Sequence, residues 1–336
     1  MKLSIVIICW NDWKVIADCL SSIFEQTKQI SFEVIVSDNG STDGSRENIR
    51  RDFPKAQIVE NGANLGFAKG NNAGIRVAQG EYVLILNPDT IICDRALEKL
   101  VAFADQHSEA GAFGCRVLNP DGSFQTPARP VPTVFRYFVA AVCLRWMGRL
   151  TERFESDVYP GWLGLESRPI GFQSGCCVMF RRGLLNRLGG FDESFFYHYE
   201  ESDLCYRIWK SGSSVLYYPG ARIIHLGGQS VGRFPIRFAL ETYRSGYRFF
   251  HKHYGRRAVC RIRRIYLLHL VLRWIGYRTM QLFKKTEPIN NRLQMYRVAI
   301  KWNFQLDPLR FVQTGAEPNV GYEPLAPPPN VVRQVI

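Results

Sequence analysis

YVLILNPDT, residues 82–90, is a short apolar run that ends abruptly in Asn-Pro-Asp. Tyr82–Leu86 is typical of a strand buried on both faces, as in the middle of a parallel sheet. Pro88 cannot donate to a sheet ladder, so the strand must end before it, with the Asp89 carboxylate just beyond its carboxyl end. Ligands of open α/β sheets bind at that edge, where a carboxylate could hold a divalent metal ion and, through it, a phosphate. Taken alone, the stretch favours a plainer interpretation, an Asx turn that closes a strand.

Apolar strands and helical segments alternate around this stretch. The predicted strands are Leu3–Cys9, Phe32–Val36, Ile58–Val59 and Tyr82–Leu86, and the predicted helices are Val15–Phe24, a helix that starts near Asp43, Phe67–Ala78 and Ala96–Ala104. This β-α alternation is typical of a mostly parallel sheet with helices on both faces. Right-handed crossovers then bring the carboxyl ends of the strands to one edge.

The alternation is interrupted between residues 118 and 170. We predict a loop over 119–132, an amphipathic helix over 133–150 and irregular structure over 151–169. A long excursion of this kind is often a substrate lid or an acceptor-binding segment. Regular structure is predicted again at Ser174–Phe180, Arg181–Leu188, Ser202–Lys210, Val215–Tyr218 and Arg222–His225. We therefore assign residues 1–230 to one α/β domain.

The composition changes after this domain. From 234 to 285, Arg and Lys alternate with aromatic and aliphatic residues without a strand pattern, which predicts two or three basic amphipathic helices. We assign residues 231–310 to this helical extension and 311–336 to a Pro-rich tail, which is predicted to be extended or disordered after Pro318. The longest apolar run, Ile265–Ile275, contains His269 and Arg273, so we predict no membrane span.

Charge and cysteine content limit the functional classes. The 336 residues carry a formal net charge of +13, which indicates an anionic partner: nucleic acid, a phosphate-bearing substrate or an anionic membrane surface. The cysteines include no CxxC pair, so neither a disulfide framework nor a zinc site is predicted, and a reducing compartment fits best. The first residues, MKLSIVIICWNDW, become polar too soon for a signal peptide.

Two segments are candidates for nucleotide binding. Asp38 follows the second strand, where a carboxylate can bond to a ribose or a base edge. Asn64–Gly74, NLGFAKGNNAG, offers backbone donors near a helix start and is either a nucleotide cradle or simply a well-capped helix. There is no GxGxxG after the first strand and no GxxxxGK[ST] in the chain, so neither a dinucleotide site nor a P-loop site is indicated.

A cluster of carboxylates lies in FDESFFYHYEESDLCYR, residues 191–207. Glu200 and Asp203 share one face of the predicted helix, and Glu201 points elsewhere. Clustered carboxylates can raise one another's pKa and make one of them a general base. Alternatively, they are a charged first turn that complements the helix dipole. His225, after a short strand, is a metal ligand, a diphosphate contact or a structural residue.

These motifs, in this order, resemble the family 2 glycosyltransferases, and more narrowly the bacterial rhamnosyltransferase-type branch that builds surface polysaccharides. The segments that carry the resemblance are SIVIICWND, VIVSDNGSTDGS, NLGFAKGNNAGI, YVLILNPDT, SGCCVMFRR, GGFDESFFYHYEESDLCYR and IIHLGGQS, within residues 1–255. The resemblance implies a GT-A fold, a Rossmann-like α/β architecture. It also implies a nucleoside-diphosphate sugar donor, Mg²⁺ or Mn²⁺, and inversion at the anomeric carbon.

The resemblance also implies roles for single residues. Asp89 matches the last Asp of the family's DxD metal motif, whose first position is here Asn87, and His225 completes the metal or diphosphate site. The family's acidic pair matches Glu200 and Glu201. The second member, Glu201, is the expected base, but Glu200 remains an alternative. Asp203 is expected to cap the helix or pair with an Arg. The donor-binding residues implied are Asn11, Asp38, Asn64, Gly66, Lys69 and Asn87.

The implied reaction is a single displacement, in which a carboxylate deprotonates an acceptor hydroxyl that attacks the anomeric carbon. No nucleophilic Cys is needed, so Cys176 and Cys177 are assigned to the core. By resemblance, dTDP-rhamnose is the first choice of donor and a UDP-hexose the second. The acceptor is a glycan or a polyprenyl-diphosphate-linked glycan.

The basic C-terminal helices suit a peripheral protein on the cytoplasmic face of the plasma membrane. Otherwise they pack on the catalytic domain or on the second subunit of a homodimer. Three other functions remain as alternatives: a nucleic-acid-binding protein, a nucleotidyltransferase and a catalytically inactive scaffold. The first is disfavoured, because the positive charge is concentrated late in the chain while acidic residues line the predicted cleft.

Overall fold

The computed structural model describes residues 1–142, 144, 158–159, 161–227, 235–284 and 286–318. The chain divides into two compact units. The first comprises the described parts of 1–136 and 145–227, and the second those of 137–144 and 228–336.

The first unit is an α/β fold that contains all the strands of the described chain. Its first half contains β1 (Leu3–Cys9), α1 (Trp13–Gln26), β2 (Phe32–Asp38), α2 (Ser45–Asp52), β3 (Ala56–Glu60), α3 (Gly66–Val77), β4 (Tyr82–Leu86), β5 (Thr90–Cys93), α4 (Ala96–Asp105) and β6 (Ala110–Leu118). After β7 (Phe124–Gln125) and β8 (Ala128–Arg129), helix α5 (Val134–Ala141) runs from this unit into the second. The first unit then continues with β9 (Arg168–Pro169), β10 (Phe172–Gln173), β11 (Cys177–Arg181), α6 (Arg182–Arg187), α7 (Glu200–Lys210) and β12 (Ser214–His225).

The main sheet is mixed and has the strand order β3-β2-β1-β4-β11-β6-β12-β5. Neighbours among β3, β2, β1 and β4 are parallel, β11 is antiparallel to β4 and β6, and β12 is parallel to β6. The carboxyl ends of β1, β2, β4, β6 and β12 therefore lie at one edge of the sheet. That edge carries the polar residues that follow each of these strands.

The central strand matches its prediction. β4 spans Tyr82–Leu86, its residues are at most 1% exposed, and it pairs with β1 on one side and β11 on the other. Full burial of an aliphatic side chain stabilises the fold by about 1.5–3 kcal/mol, so such a strand anchors the sheet. Cys176 and Cys177 are buried at 2% and 0% exposure, which confirms their assignment to the core.

Several elements differ from the sequence-based expectation. β5 and β6 were not predicted, two short strands (β7 and β8) occupy the predicted loop 119–132, and the two predicted C-terminal strands are one strand, β12. β6 reads AGAFGCRVL, and its glycines weaken the strand pattern. Neighbouring side chains leave no room for a Cβ at these positions. A Cβ on Gly111 would lie 2.2 Å from a Leu184 methyl carbon, and one on Gly114 would lie 2.3 Å from Gln173 Oε1.

The second unit is helical. After the end of α5 it contains α8 (Pro235–Phe283), α9 (Glu287–Gln305) and α10 (Pro308–Thr314). α8 is broken at Gly255, whose φ of 75° is outside the helical range. Tyr247 and Trp302 are buried between these helices, and the Tyr247 hydroxyl donates to Asn303 Oδ1 at 2.6 Å. No helix in the described ranges is long and apolar enough to cross a membrane. Most of the predicted helix over 143–150, and the predicted tail beyond 318, lie outside the described residues.

Candidate functional site

The loops after β1 and β2 are tied together by Asn11. Its backbone is left-handed, with φ 57°, and its N–H donates to Ser41 Oγ at 3.0 Å. Its side-chain Oδ1 accepts from the Thr42 N–H at 2.7 Å. Asn11 thus fixes the relative position of two strand-end loops, and its predicted contact with a donor stays a prediction.

Asp38, the last residue of β2, organises its own loop. Its carboxylate is 1% exposed and accepts from the N–H groups of Gly40 and Ser41, each at 3.1 Å. The Arg46 Nε lies 3.8 Å from Asp38 Oδ2. The predicted ribose or base contact of Asp38 stays a prediction, and the structure adds that this carboxylate holds the loop beside the sheet edge.

The start of α3 is joined to the loop that precedes α7. Asn64 Oδ1 accepts from the Gly66 N–H at 3.0 Å, and the Phe67 N–H donates to the Phe196 carbonyl at 2.7 Å. Gly66 has φ 79°, and a Cβ there would lie only 2.5 Å from the Phe196 oxygen. Glycine is therefore required at this close approach, while Lys69 on the same helix is exposed. The predicted donor-binding roles of these residues are not tested by these contacts.

Asn72 makes a second connection between the same two segments. Its side-chain Nδ2 donates to the Phe191 carbonyl at 2.9 Å, and its Oδ1 accepts from the Phe191 N–H at 3.0 Å. The side chain is buried, so both bonds form away from water. Sequence reasoning placed Asn72 in the cradle segment but gave it no role, because its partner is more than 100 residues away.

The acidic pair begins α7, directly after two residues with left-handed backbone. His198 and Tyr199 have φ values of 66° and 70°, a conformation that costs free energy in non-glycine residues and is often found at functional sites. Glu200 is 2% exposed. Glu201 Oε1 accepts from the Gly175 N–H at 3.0 Å. Among the described residues, Oε2 of each carboxylate is buried without a hydrogen-bond partner.

Burial changes the acid–base properties of this cluster. Burial, with the neighbouring charge of Glu201, raises the pKa of Glu200 well above its ordinary value, and burial also raises the pKa of Glu201. The pKa of Tyr197 is raised by burial and by the charges of Glu200, Glu201 and Asp89. Hydrogen bonds join this cluster to the end of β4: Gly175 donates its N–H to Glu201, and the carbonyl of the next residue, Cys176, accepts from the Asn87 N–H at 3.0 Å.

Asp203 has a structural role, as the sequence predicted. Its buried carboxylate accepts from Arg207 Nε at 2.8 Å, one turn further along α7. The same guanidinium donates to the carbonyls of Leu188 and Gly190. The ion pair therefore fastens α7 to the segment that contains Leu188 and Gly190.

Asp89 and His225 meet at the sheet edge. His225 Nε2 lies 3.3 Å from Asp89 Oδ1, and the Leu226 N–H donates to the Asp89 carbonyl at 2.9 Å. Asn87 is held by its backbone: its N–H donates to the Cys176 carbonyl, and its own carbonyl accepts from Thr90 Oγ1. The geometry brings the two predicted metal ligands together. The predicted contact between the Asn87 side chain and the sugar-nucleotide donor stays a prediction.

The donor set suits a divalent cation that is shared with a substrate. Within the part of the chain that is described, no group of three or more His, Cys, Asp and Glu side chains could hold a metal ion. Mg²⁺ is commonly bound by one or two carboxylates together with substrate phosphates, so a full protein shell is not needed. One carboxylate and one imidazole, Asp89 and His225, fit such a shared site.

Gln125 and Gly175 are site residues that sequence reasoning did not find. Gln125 Oε1 contacts His225 Nδ1 at 2.7 Å, and Gly175 holds Glu201 through its N–H. Gly175 lies in the quoted SGCCVMFRR segment, whose only predicted structure was a strand. Gln125 lies in the excursion after residue 118, where no motif pointed to it.

Comparisons with known proteins identify the family of this chain. The model of the family described as "Glycosyl transferase family 2" matches residues 4–189. An N-acetylglucosaminyl-diphospho-decaprenol L-rhamnosyltransferase of Mycobacterium tuberculosis is 31% identical over 230 residues, covering 64% of this chain and 73% of that protein.

Solved structures with the same fold are more distant in sequence. A mannosyltransferase of Pyrobaculum calidifontis in complex with GDP-Man and Mn²⁺ has a TM-score of 0.56 at 17% identity, over 90% of this chain and 87% of its own. GalNAc-T7 with UDP, GalNAc and Mn²⁺ also has a TM-score of 0.56, at 14% identity, over 95% and 58% of the two chains. Together with the family match, these likenesses confirm the expected GT-A fold.

Proposed function

The chain belongs to glycosyl transferase family 2, and from this premise we propose that it transfers a sugar from a nucleoside-diphosphate donor to a hydroxyl group, with inversion at the anomeric carbon. Our first choice of donor is dTDP-rhamnose, and the acceptor is a glycan or a polyprenyl-diphosphate-linked glycan of cell-surface polysaccharide synthesis. The rhamnosyltransferase relative supports both choices. The single observation that carries the proposal is that residues 175–176 bond to Glu201 on one side and to Asn87 at the end of β4 on the other, which joins the acidic pair to the sheet edge.

Glu201 is the residue that we assign as the general base. Glu200 is the more deeply buried of the two, and the charge of Glu201 adds to burial in raising its pKa. The N–H of Gly175 favours the charged form of Glu201. Its Oε1 is held by the Gly175 N–H, which leaves Oε2 to accept the proton of the acceptor hydroxyl. The hydroxyl oxygen then bonds to the anomeric carbon as the bond to the nucleoside diphosphate breaks.

Asp89 and His225 are the residues that would hold Mg²⁺ or Mn²⁺, through Oδ1 and Nε2. When bound, the ion supplies electrostatic stabilisation of the negative charge that develops on the departing diphosphate. The cradle at the start of α3 and the loops fixed by Asn11 and Asp38 would position the rest of the nucleotide. Holding the donor in this way makes the attack effectively intramolecular.

The C-terminal half of α8 supports a peripheral position on an anionic membrane surface. Its large apolar side chains become more exposed towards its end: Ile275 is 50% exposed, Leu282 76% and Phe283 87%. Exposed arginines such as Arg273 and Arg278 lie among them. Apolar side chains that enter the interface and cations that meet headgroups are the two components of such binding. Flotation of the wild-type protein with phosphatidylglycerol vesicles, and its loss in Phe283→Glu, is the expected result, whereas equal recovery with neutral vesicles would contradict it.

A product assay tests the transfer itself. The protein is incubated with dTDP-rhamnose or a UDP-hexose, N-acetylglucosaminyl-diphospho-polyprenol and Mn²⁺, and the glycolipid product is isolated. We expect one donor to yield a glycoside of inverted anomeric configuration and one equivalent of nucleoside diphosphate. Release of pyrophosphate would identify a nucleotidyltransferase instead, and a product only from a UDP-hexose would replace the first choice of donor.

A further inference from the structure

We propose that Gln125 is a positioning residue for His225, at the inner end of a hydrogen-bonded relay that begins at Asp121. The relay fixes the imidazole in the tautomer whose Nε2 lone pair faces Asp89. This inference rests on the proposed role of Asp89 and His225 as metal ligands. It adds residues from the excursion after residue 118 to the donor site.

The relay consists of four consecutive hydrogen bonds, all within the first unit. At its outer end, Ser123 Oγ donates to Asp121 Oδ1 at 2.6 Å, and Asn119 Nδ2 donates to Ser123 Oγ at 2.9 Å. At its inner end, Gln125 Nε2 donates to Asn119 Oδ1 at 2.9 Å, and Gln125 Oε1 lies 2.7 Å from His225 Nδ1. Every distance is within the ordinary range for a hydrogen bond.

The direction of the relay follows from its outer end. The Ser123 hydroxyl and backbone N–H lower the pKa of Asp121, so this side chain is a carboxylate that can only accept. Ser123 gives its one hydroxyl proton to Asp121 and must therefore accept from Asn119. An amide that turns its NH₂ group towards Ser123 turns its oxygen towards Gln125.

The same logic continues to the imidazole. Gln125 must direct its NH₂ group at Asn119 and its oxygen at His225. Because that oxygen can only accept, His225 Nδ1 carries the proton. In the neutral imidazole the lone pair is then on Nε2, which faces the Asp89 oxygen. Two acceptor atoms that face each other at 3.3 Å can share one cation, either a proton on Nε2 or a metal ion.

The backbone builds this arrangement from three adjacent strands. Asn119–Ser123 is the turn between β6 and β7, closed by the Asn119 N–H to the Ser123 carbonyl at 2.8 Å. β7 pairs with β6 through Val117 and Gln125, and β12 pairs with β6 through Ile224 and Leu118. The side chains of Gln125 and His225 thus meet across the end of β6, although the two residues are 100 residues apart in sequence. A histidine that ligates a metal usually donates its other N–H to such an outer partner, which fixes the ring.

Mn²⁺ binding provides a readout that is independent of turnover. The free Mn²⁺ signal in electron paramagnetic resonance is titrated with wild type, Gln125→Met and Gln125→Glu, in the presence of dTDP or UDP. Met keeps the length of the side chain and removes the acceptor, so we expect an affinity about 10- to 100-fold lower. Glu keeps an acceptor for Nδ1–H and should retain near-wild-type affinity. Gln57→Met, the same change at an exposed position on β3, is the matched control, and thermal melting checks that each variant is folded.

The outcomes separate this inference from the proposed function. If wild type does not bind Mn²⁺ with either nucleotide, the metal role of Asp89 and His225 fails, and the inference fails with it. If wild type binds and Gln125→Met binds equally well, or Gln125→Glu is as weak as Gln125→Met, the relay alone is refuted. Asp121→Asn provides a further check: it alters only the exposed outer end, and we expect a smaller loss of Mn²⁺ affinity in the same direction.

Discussion

Replacing Glu200 by Gln should make the protein more stable at neutral and alkaline pH while it impairs transfer. Glu200 is 2% exposed, its Oε2 has no hydrogen-bond partner among the described residues, and a second carboxylate follows it. Burial and the charge of Glu201 raise the pKa of Glu200 in the folded protein. An uncompensated buried charge therefore destabilises the native state whenever this group is ionised, and Gln removes that charge with little change in volume.

The sign of the pH dependence follows from the raised pKa. A folded-state pKa above the unfolded value means that the native state binds the proton more tightly. The stability contributed by that proton is complete below the unfolded pKa, which is about 4.3, and is lost as the pH rises through the folded pKa. Gln cannot ionise, so the variant should equal or trail wild type at low pH and exceed it at high pH.

The size of the effect can be bounded from the unpaired oxygen. A buried polar group without a partner costs about 1–3 kcal/mol, and a charged one costs more. For a unit of roughly 200 residues, 1 kcal/mol shifts Tm by about 2–4 °C. Thermal unfolding of wild type and Glu200→Gln from pH 5 to pH 9 measures the difference, with Glu166→Gln as an exposed control that should show none. A Tm difference that does not widen with pH, or a variant less stable than wild type at pH 9, would show that Glu200 does not carry an uncompensated charge in the folded protein.

Three further changes test separate parts of the site. Glu201→Gln should lower the rate of transfer about 10²- to 10⁴-fold with nucleotide binding retained, since it removes only the base; unchanged turnover in the product assay would move the base to another residue. Asn72→Ala should cost about 2–4 kcal/mol in urea unfolding, because it leaves the Phe191 N–H and carbonyl buried and unpaired; a loss below about 1 kcal/mol would mean that water replaces the amide. Gly66→Ala should lower Tm more than Gly62→Ala: the two backbones share a positive φ of 79° and 73°, but only the first Cβ meets Phe196, at 2.5 Å. Equal shifts would show that this contact gives way at no cost.

The central strands were predictable because burial on both faces leaves a continuous apolar run. β1 and β4 have the bounds that the sequence indicated, and the chain leaves β4 just before Pro88. β6 was not predictable in this way. The Leu184 and Gln173 side chains pack so closely over its glycines that a Cβ would not fit, and those neighbours are distant in sequence.

The candidate site shows the same division. Motif residues at the ends of parallel strands were expected to meet at one edge, and the family resemblance implied that Asp89 and His225 form one site, where the structure brings them within 3.3 Å. The residues that orient them could not, because a hydrogen-bond partner such as Gln125 follows from the register of β6 with β7 and β12. Likewise, no local pattern shows that Glu201 would be held by the N–H of Gly175.

Metal-dependent binding of a nucleoside diphosphate distinguishes a sugar-nucleotide site from the alternative functions. Wild type and Asp89→Ala are melted with dTDP, UDP, GDP or ADP, with and without Mn²⁺ or Mg²⁺. We expect one nucleotide to stabilise wild type only when the metal is present, by about 2.7 kcal/mol at 100 times its Kd, and Asp89→Ala to lose that shift. If folded wild-type protein is stabilised by no nucleotide under any of these conditions, the account of this site as a metal-assisted sugar-nucleotide site is contradicted.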